Sequence, residues 1–156
     1  MNAVVAVRPG TRDERDFVRD LGRRTASSSV SAVRDARYDD VLSSFDRLVE
    51  YVFGRNHALL IAEDGDGTLL GFLLLLYDLP DEVTLTEQAF VAYTAVEPFA
   101  RGRGVGRALM EAAEAAARKA GLAYISLMVT EENSAARGLY EGSGFRTERR
   151  MMTKRL

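Results

Sequence analysis

Apolar residues recur along this chain with two different periods, and the switches between them lay out an expected order of elements. Val4 to Arg8 is a short β-branched run closed by Pro9 and Gly10, which predicts a first strand. Thr11 with Glu14 has the spacing of a capping box, and Phe17, Val18 and Leu21 then form a helical stripe that ends near Arg24. Thr25 to Arg37 is serine-rich without a clear period and reads as a loop or broken helix, expected to be the most mobile part of the chain. From Asp39 the helical pattern returns. Val41, Phe45, Leu48, Val49 and Val52 share one face, and Gly54 stands where a C′ residue ends a helix.

Strand-like runs dominate the next stretch. Ala58 to Ala62 predicts a strand, "EDGDGT" (Glu63–Thr68) a hairpin turn of the Asp-Gly type, and Thr68 to Tyr77 a long strand. The run "LLGFLLLLY" within it is far shorter than the roughly 20 residues of a membrane helix, and fits a strand buried on both faces. A polar connection, Asp78 to Gln88, leads to a strand from Phe90 to Val96, stopped by Glu97 and Pro98. Val105, Leu109, Ala112, Ala113, Ala116 and Ala120 mark the buried face of a helix ended by Gly121. A strand from Tyr124 to Val129, a short helix from Ser134 to about Ser143 and a last extended segment from Phe145 to Thr153 complete the series. The order β-α-α-β-β-β-α-β-α-β predicts an α/β fold, a sheet of mixed direction with helices on its faces.

Composition narrows the function classes. At 156 residues, with 47% hydrophobic and 28% charged residues, the chain is expected to be one domain, residues 1–156, with a core of its own. It has no cysteine, which removes disulfides, thiolate metal sites and a cysteine nucleophile together, and fits a cytoplasmic location. No metal is expected. The N-terminal "MNAVVAVRPG" lacks the basic start and apolar length of a secretion leader. A formal net charge of -2 argues against a nucleic-acid or membrane partner, so basic residues matter only where they cluster.

They cluster in "PFARGRGVGRALMEAA", Pro98 to Ala113, where a strand end runs through arginines and glycines into a helix. A P-loop would need Gly-Lys-Ser/Thr here, and a dinucleotide fingerprint would need glycine where Arg107 stands. Both readings fail on residues. A helix start has free N–H groups and the positive end of the helix dipole, and glycines let an anion approach them. Read alone, the stretch fits equally an anion-binding nest ringed by Arg101, Arg103 and Arg107, and a solvated basic turn.

The segment "RGRGVG", Arg101 to Gly106, resembles Arg/Gln-x-x-Gly-x-Gly/Ala, the acetyl-CoA signature of the GNAT superfamily of N-acetyltransferases. "NSAARGLYEGSGF", Asn133 to Phe145, is similar to that family's second block, Asn-x-x-Ala-x-x-x-Tyr-x-x-x-Gly-Phe. The resemblance covers Phe90 to Phe145 in motif detail and the chain from Val4 onward in element order. It implies a GNAT-like, mostly antiparallel central sheet with helices on both faces, splayed between the fourth and fifth strands. It implies that backbone amides of Gly102, Arg103, Gly104, Val105, Gly106 and Arg107 hold the pyrophosphate of acetyl-CoA. Backbone groups of the strand Tyr93 to Val96 would meet the pantetheine arm, a backbone N–H of Ala95 or Val96 would meet the reacting carbonyl oxygen, Asn133 would bond near that arm, and Tyr140 would sit beside the thioester sulfur.

The implied reaction is attack of a primary amine on an acetyl thioester within a ternary complex. A lysine-type amine, with a pKa near 10.4, must lose a proton first. Glu87, just before the central strand, is the leading base, acting directly or through water; Asp81 and Glu82 on the same connection are rivals. Glu97 is expected to shape the turn, and the lone His57 to be structural. Tyr93, Arg149 and Arg150 are candidate borders of the acceptor site, and the Ser27–Arg37 loop a candidate lid. A small-molecule amine is the favoured acceptor. Acetylation of a protein N-terminus or lysine, a non-catalytic acyl-CoA-binding domain and a phosphate-loop interaction module are the alternatives. A homodimer is the expected assembly.

Overall fold

The computed structural model describes residues 4–156; Met1 to Ala3, the start of the stretch read as lacking a leader, lie outside them. A five-stranded sheet has the order β1-β2-β3-β4-β5, built from Ala6–Pro9, His57–Glu63, Leu69–Leu76, Ala89–Val96 and Ile125–Leu127. The first three pairings are antiparallel and β4–β5 is parallel. Four α-helices accompany it: α1 (Arg15–Thr25), α2 (Tyr38–Phe53), α3 (Val105–Lys119) and α4 (Ser134–Gly142). No helix among the described residues is long and apolar enough to cross a membrane.

The unbroken apolar run of β3 explains the layering. Leu73 and Leu75 pack with Leu109, Met110 and Ala113 of α3, while Phe72, Leu74 and Leu76 pack with Val18, Leu21 and Phe45 of α1 and α2. Side chains alternate across a strand, so a strand covered on both faces must be apolar at every position. The α1–α2 layer fits closely. A Cβ on Gly22 would lie 1.9 Å from Cζ of Phe45, whose ring is already pinned edge-on against Tyr93 at 4.9 Å. Gly22→Ala should therefore destabilise the fold by about 1–3 kcal/mol as the ring is forced aside. Thermal melting checks this, and an unchanged midpoint would show that the ring has room to move.

Two expectations change. β5 covers Ile125–Leu127 rather than Tyr124 to Val129, because β4 holds it only along Ala89 to Val91. The Phe145–Thr153 segment is not a strand: it joins no ladder, and its anchors are side chains. Phe145 packs edge-on against Tyr140, and Arg149 pairs with Asp81. The serine-rich stretch is the loop or broken helix expected, a 3-10 turn at Ala26–Ser29 followed by irregular chain to Arg37. It is tied across the molecule, since Thr130 donates to the Ser29 carbonyl (2.8 Å) and the Ala32 N–H donates to Glu132 (3.1 Å). The splay expected between the fourth and fifth strands is present as the short β4–β5 ladder, beyond which β4 runs on from Ala92 to Val96 without β5.

Candidate active site

The opening begins at an irregularity in β4. Tyr93 opposes Leu74 and Val91 opposes Leu75, so Ala92 has no partner of its own on β3 and forms a bulge. Val91 is also the last residue paired with β5. The strand therefore bends where its neighbour leaves. Beyond the bulge the ladder with β3 resumes, and the Glu97 N–H donates to the Leu70 carbonyl at 2.8 Å. Opposed residues of an antiparallel ladder are hydrogen-bonded at every second position. Ala95 thus turns its backbone groups towards Phe72, whereas Thr94 and Val96 turn theirs towards the side that β5 has vacated. Of the strand residues Tyr93 to Val96 expected to offer backbone groups, Thr94 and Val96 face the opening, whereas Tyr93 and Ala95 are turned towards β3.

At the end of β4 the chain enters the arginine-glycine turn. Gly102 and Gly104 have φ of +74° and +80°, and a Cβ on either would meet nothing within 4 Å. The first backbone bond of α3 runs from the Ala108 N–H to the Gly104 carbonyl at 3.0 Å. The N–H groups of Gly102, Arg103, Gly104, Val105, Gly106 and Arg107 make no hydrogen bond with the described residues. Arg101, Arg103 and Arg107 are exposed and take no part in the ion pairs among those residues. A row of unsatisfied donors beside open space and free cations fits an oxyanion-rich ligand such as a diphosphate.

The third glycine has a different reason. Gly106 lies within α3 without a positive φ, and a Cβ there would come 2.9 Å from Cδ2 of Leu139 on α4. Its bareness lets α4 approach, and the next residue of α4 is Tyr140. The Glu97 carboxylate accepts from both terminal nitrogens of Arg24, at 2.7 and 3.1 Å, and so ties the end of α1 to the end of β4.

Two tyrosines flank the centre of β4 from opposite faces. Tyr140 is 9% exposed and packs in the α3-side cluster, and its hydroxyl makes no hydrogen bond with the described residues yet is not sealed from solvent. Burial raises the Tyr140 phenol above its ordinary value, and Tyr93 adds to the rise. Tyr93 lies on the α1–α2 side, stacked with Phe72. Its hydroxyl is 3.0 Å from Oγ1 of Thr25, and that threonine donates to the Leu21 carbonyl at 3.0 Å. Tyr93 is therefore the donor to Thr25. Burial raises its pKa as well, so both phenols stay neutral near pH 7. Asn133 caps α4, its Oδ1 accepting from the Ala136 N–H at 3.2 Å, which leaves the amide NH2 as its open end.

The carboxylates divide clearly. Asp81 accepts from the Thr84 backbone and hydroxyl and from Arg149, and these bonds hold its pKa well below the usual carboxylate range. A carboxylate so engaged is a weak base and belongs to the anchoring of the C-terminal segment. Glu82 and Glu87 are exposed. Glu87 lies five residues before the bulge, about 16 Å of extended chain. His57 donates from Nδ1 to the Arg55 carbonyl at 2.8 Å and packs on Phe53, away from this opening.

A family model described as the Acetyltransferase (GNAT) family matches residues 24–145, which include both sequence blocks and all of β2 to α4. The chain belongs to this GNAT family. A curated mycothiol acetyltransferase of Clavibacter sepedonicus is 33% identical over 146 residues, covering 94% of this chain and 44% of that protein. Another mycothiol acetyltransferase, from Beutenbergia cavernae, is 42% identical over 86 residues, which are 55% of this chain and 27% of that protein. This GNAT chain thus spans less than half the length of these curated relatives. Its fold superimposes on a Pyrococcus furiosus structure described as a candidate acetyl transferase, with TM-score 0.82 and 25% identity, covering 98% of this chain and 100% of the other.

Proposed function

We propose that this chain is an acetyl-CoA-dependent N-acetyltransferase that acts on a primary amine of a small molecule. The observation that carries the reading is the run of unpaired N–H groups from Gly102 to Arg107, which follows the end of β4 beyond the short β4–β5 ladder. These amides, with Arg101, Arg103 and Arg107 around them, would hold the pyrophosphate. Thr94 and Val96 would pair with the pantetheine arm along β4, and the amide NH2 of Asn133 would bond to it from the other side. The bound co-substrate supplies its acetyl group as a thioester, so that transfer forms a C–N bond as the C–S bond breaks. The curated relatives are named for mycothiol rather than for a protein, which favours a small acceptor over a peptide.

The chain's own part in the chemistry is electrostatic. A backbone N–H at the β4 opening would donate to the carbonyl oxygen as negative charge gathers there. Tyr140 would donate to the departing sulfur. A buried phenol is a weaker acid than a thiol near 8.5, so Tyr140 stabilises thiolate character by hydrogen bonding rather than by giving up its proton. Glu87 would take the amine's proton through intervening water. Glu87→Gln should lower kcat about 10- to 100-fold at neutral pH, with acetyl-CoA affinity unchanged. An unchanged kcat would assign the proton to solvent.

A panel of primary amines, assayed by release of free thiol from acetyl-CoA, tests the activity. The expected result is thiol release matched one-to-one by acetylated product for at least one amine. Binding of acetyl-CoA without transfer to any amine would favour the non-catalytic acyl-CoA-binding reading.

A further inference from the structure

A cleft of about 780 Å³ lies well away from the opening between β4 and β5. Its walls come from the turn that leads into α1 (Thr11, Arg12), the first residue of α1 (Arg15), the entry to β2 (Asn56, His57) and the last turn of α3 (Lys119). Leu60 and Leu122 contribute apolar surface. None of the residues from Thr94 to Arg107, nor Tyr140, lines it. The rigid body of α3 separates the two regions. Its 15 residues put Lys119 about 21 Å from Val105, where the amide cradle sits.

The charge of this cleft is one-sided. Arg12, Arg15 and Lys119 line it, no carboxylate does, and none of the three joins an ion pair among the described residues. Neighbouring acids are engaged elsewhere: Glu14 accepts from Arg8 at 2.6 Å, and Asp78 accepts from Arg55 at 3.1 Å. The Arg15 guanidinium is held over the Phe53 ring at 4.1 Å, which fixes a cation at the rim without neutralising it. The ring of His57 packs against the same Phe53, with ring centroids 5.3 Å apart. Because its Nδ1–H is given to the Arg55 carbonyl, Nε2 is the open nitrogen, and the phenol of Tyr77 lines the same cleft. Cations without counter-ions, an apolar surface and two fixed polar groups make a complementary set for one class of ligand.

We propose that this cleft is a second ligand site, distinct from the donor opening, for a small organic anion: a carboxylate or phosphate carried on a flat apolar body. The cations meet the charge, Phe53, Leu60 and Leu122 cover the body, and His57 and Tyr77 fix its orientation. His57 is the only histidine in the chain, so its Hε1 resonance reports on the site without assignment ambiguity.

The test is to follow that resonance in the full chain during titration with 2-naphthoate, 2-naphthyl phosphate and the neutral 2-naphthamide. At least one of the anions should move it saturably, the amide should bind about tenfold more weakly, and the better anion identifies the headgroup. Saturating acetyl-CoA should leave the titration unchanged. Arg15→Gln and the exposed Lys119→Gln should each weaken the anion about three- to tenfold, Lys119→Gln without altering the melting temperature. No saturable shift with either anion, equal affinity for the amide, or displacement by acetyl-CoA would each overturn the proposal.

Discussion

Replacing Tyr140 by phenylalanine is expected to lower kcat about 10- to 100-fold while changing acetyl-CoA affinity less than about threefold. The size follows from losing one hydrogen bond to a group that becomes charged, on the order of 1.5–3 kcal/mol. The selectivity follows from the geometry. The ring carries the packing, edge-on against Phe145 and within the α3-side cluster, and phenylalanine keeps the ring. Only the hydroxyl is lost, and it has no protein partner to leave unsatisfied. The pH profile adds a second check. Because burial raises the Tyr140 pKa above its ordinary value near 10, wild type should show no basic limb from this group below about pH 10. An unchanged kcat in the phenylalanine variant would remove Tyr140 from the chemistry.

Gly104→Val is expected to have the largest effect on donor binding, weakening acetyl-CoA by about 100-fold or more. Two causes act together. Valine at φ +80° is strained by about 1–2 kcal/mol, so the turn relaxes and re-aims its amides. Its side chain would also enter space that is open in the structure and that the pyrophosphate needs. Gly106→Ala provides the contrast. There the added Cβ presses on Leu139, so the expected cost falls on the seating of α4 and Tyr140, seen in kcat and melting more than in donor affinity. Equal donor affinity in Gly104→Val and wild type would show that the turn does not hold the donor.

The sequence carried the fold where local chemistry decides it. β3 was legible because a strand buried on both faces has to be apolar throughout, and Leu69 to Tyr77 is. The arginine-glycine turn was legible because only glycine adopts its two left-handed positions at little cost, and both stand beside arginine. What stayed hidden depends on partners distant in sequence. The bulge at Ala92 has no glycine or proline to announce it and exists only as a register between β4 and β3. The shortness of β5 follows from that same bend. Phe145 to Thr153 alternates weakly and was read as a strand, but a strand needs a ladder and this segment is held by Asp81 instead. The bond from Tyr93 to Thr25 spans 68 residues, and neither residue type signals the other. Gly106 was read with the cradle, yet its neighbour is a leucine on another helix.

The most direct test of the account is a thermal-shift titration of the full chain with acetyl-CoA, run beside Gly104→Val. A ligand that binds the native state stabilises it by about 2.7 kcal/mol at one hundred times its Kd, which for a chain of this size raises the melting temperature by about 5–10 °C. The account predicts a saturable rise of that order in wild type and almost none in the variant at the same concentration. No rise in wild type at millimolar acetyl-CoA would contradict it.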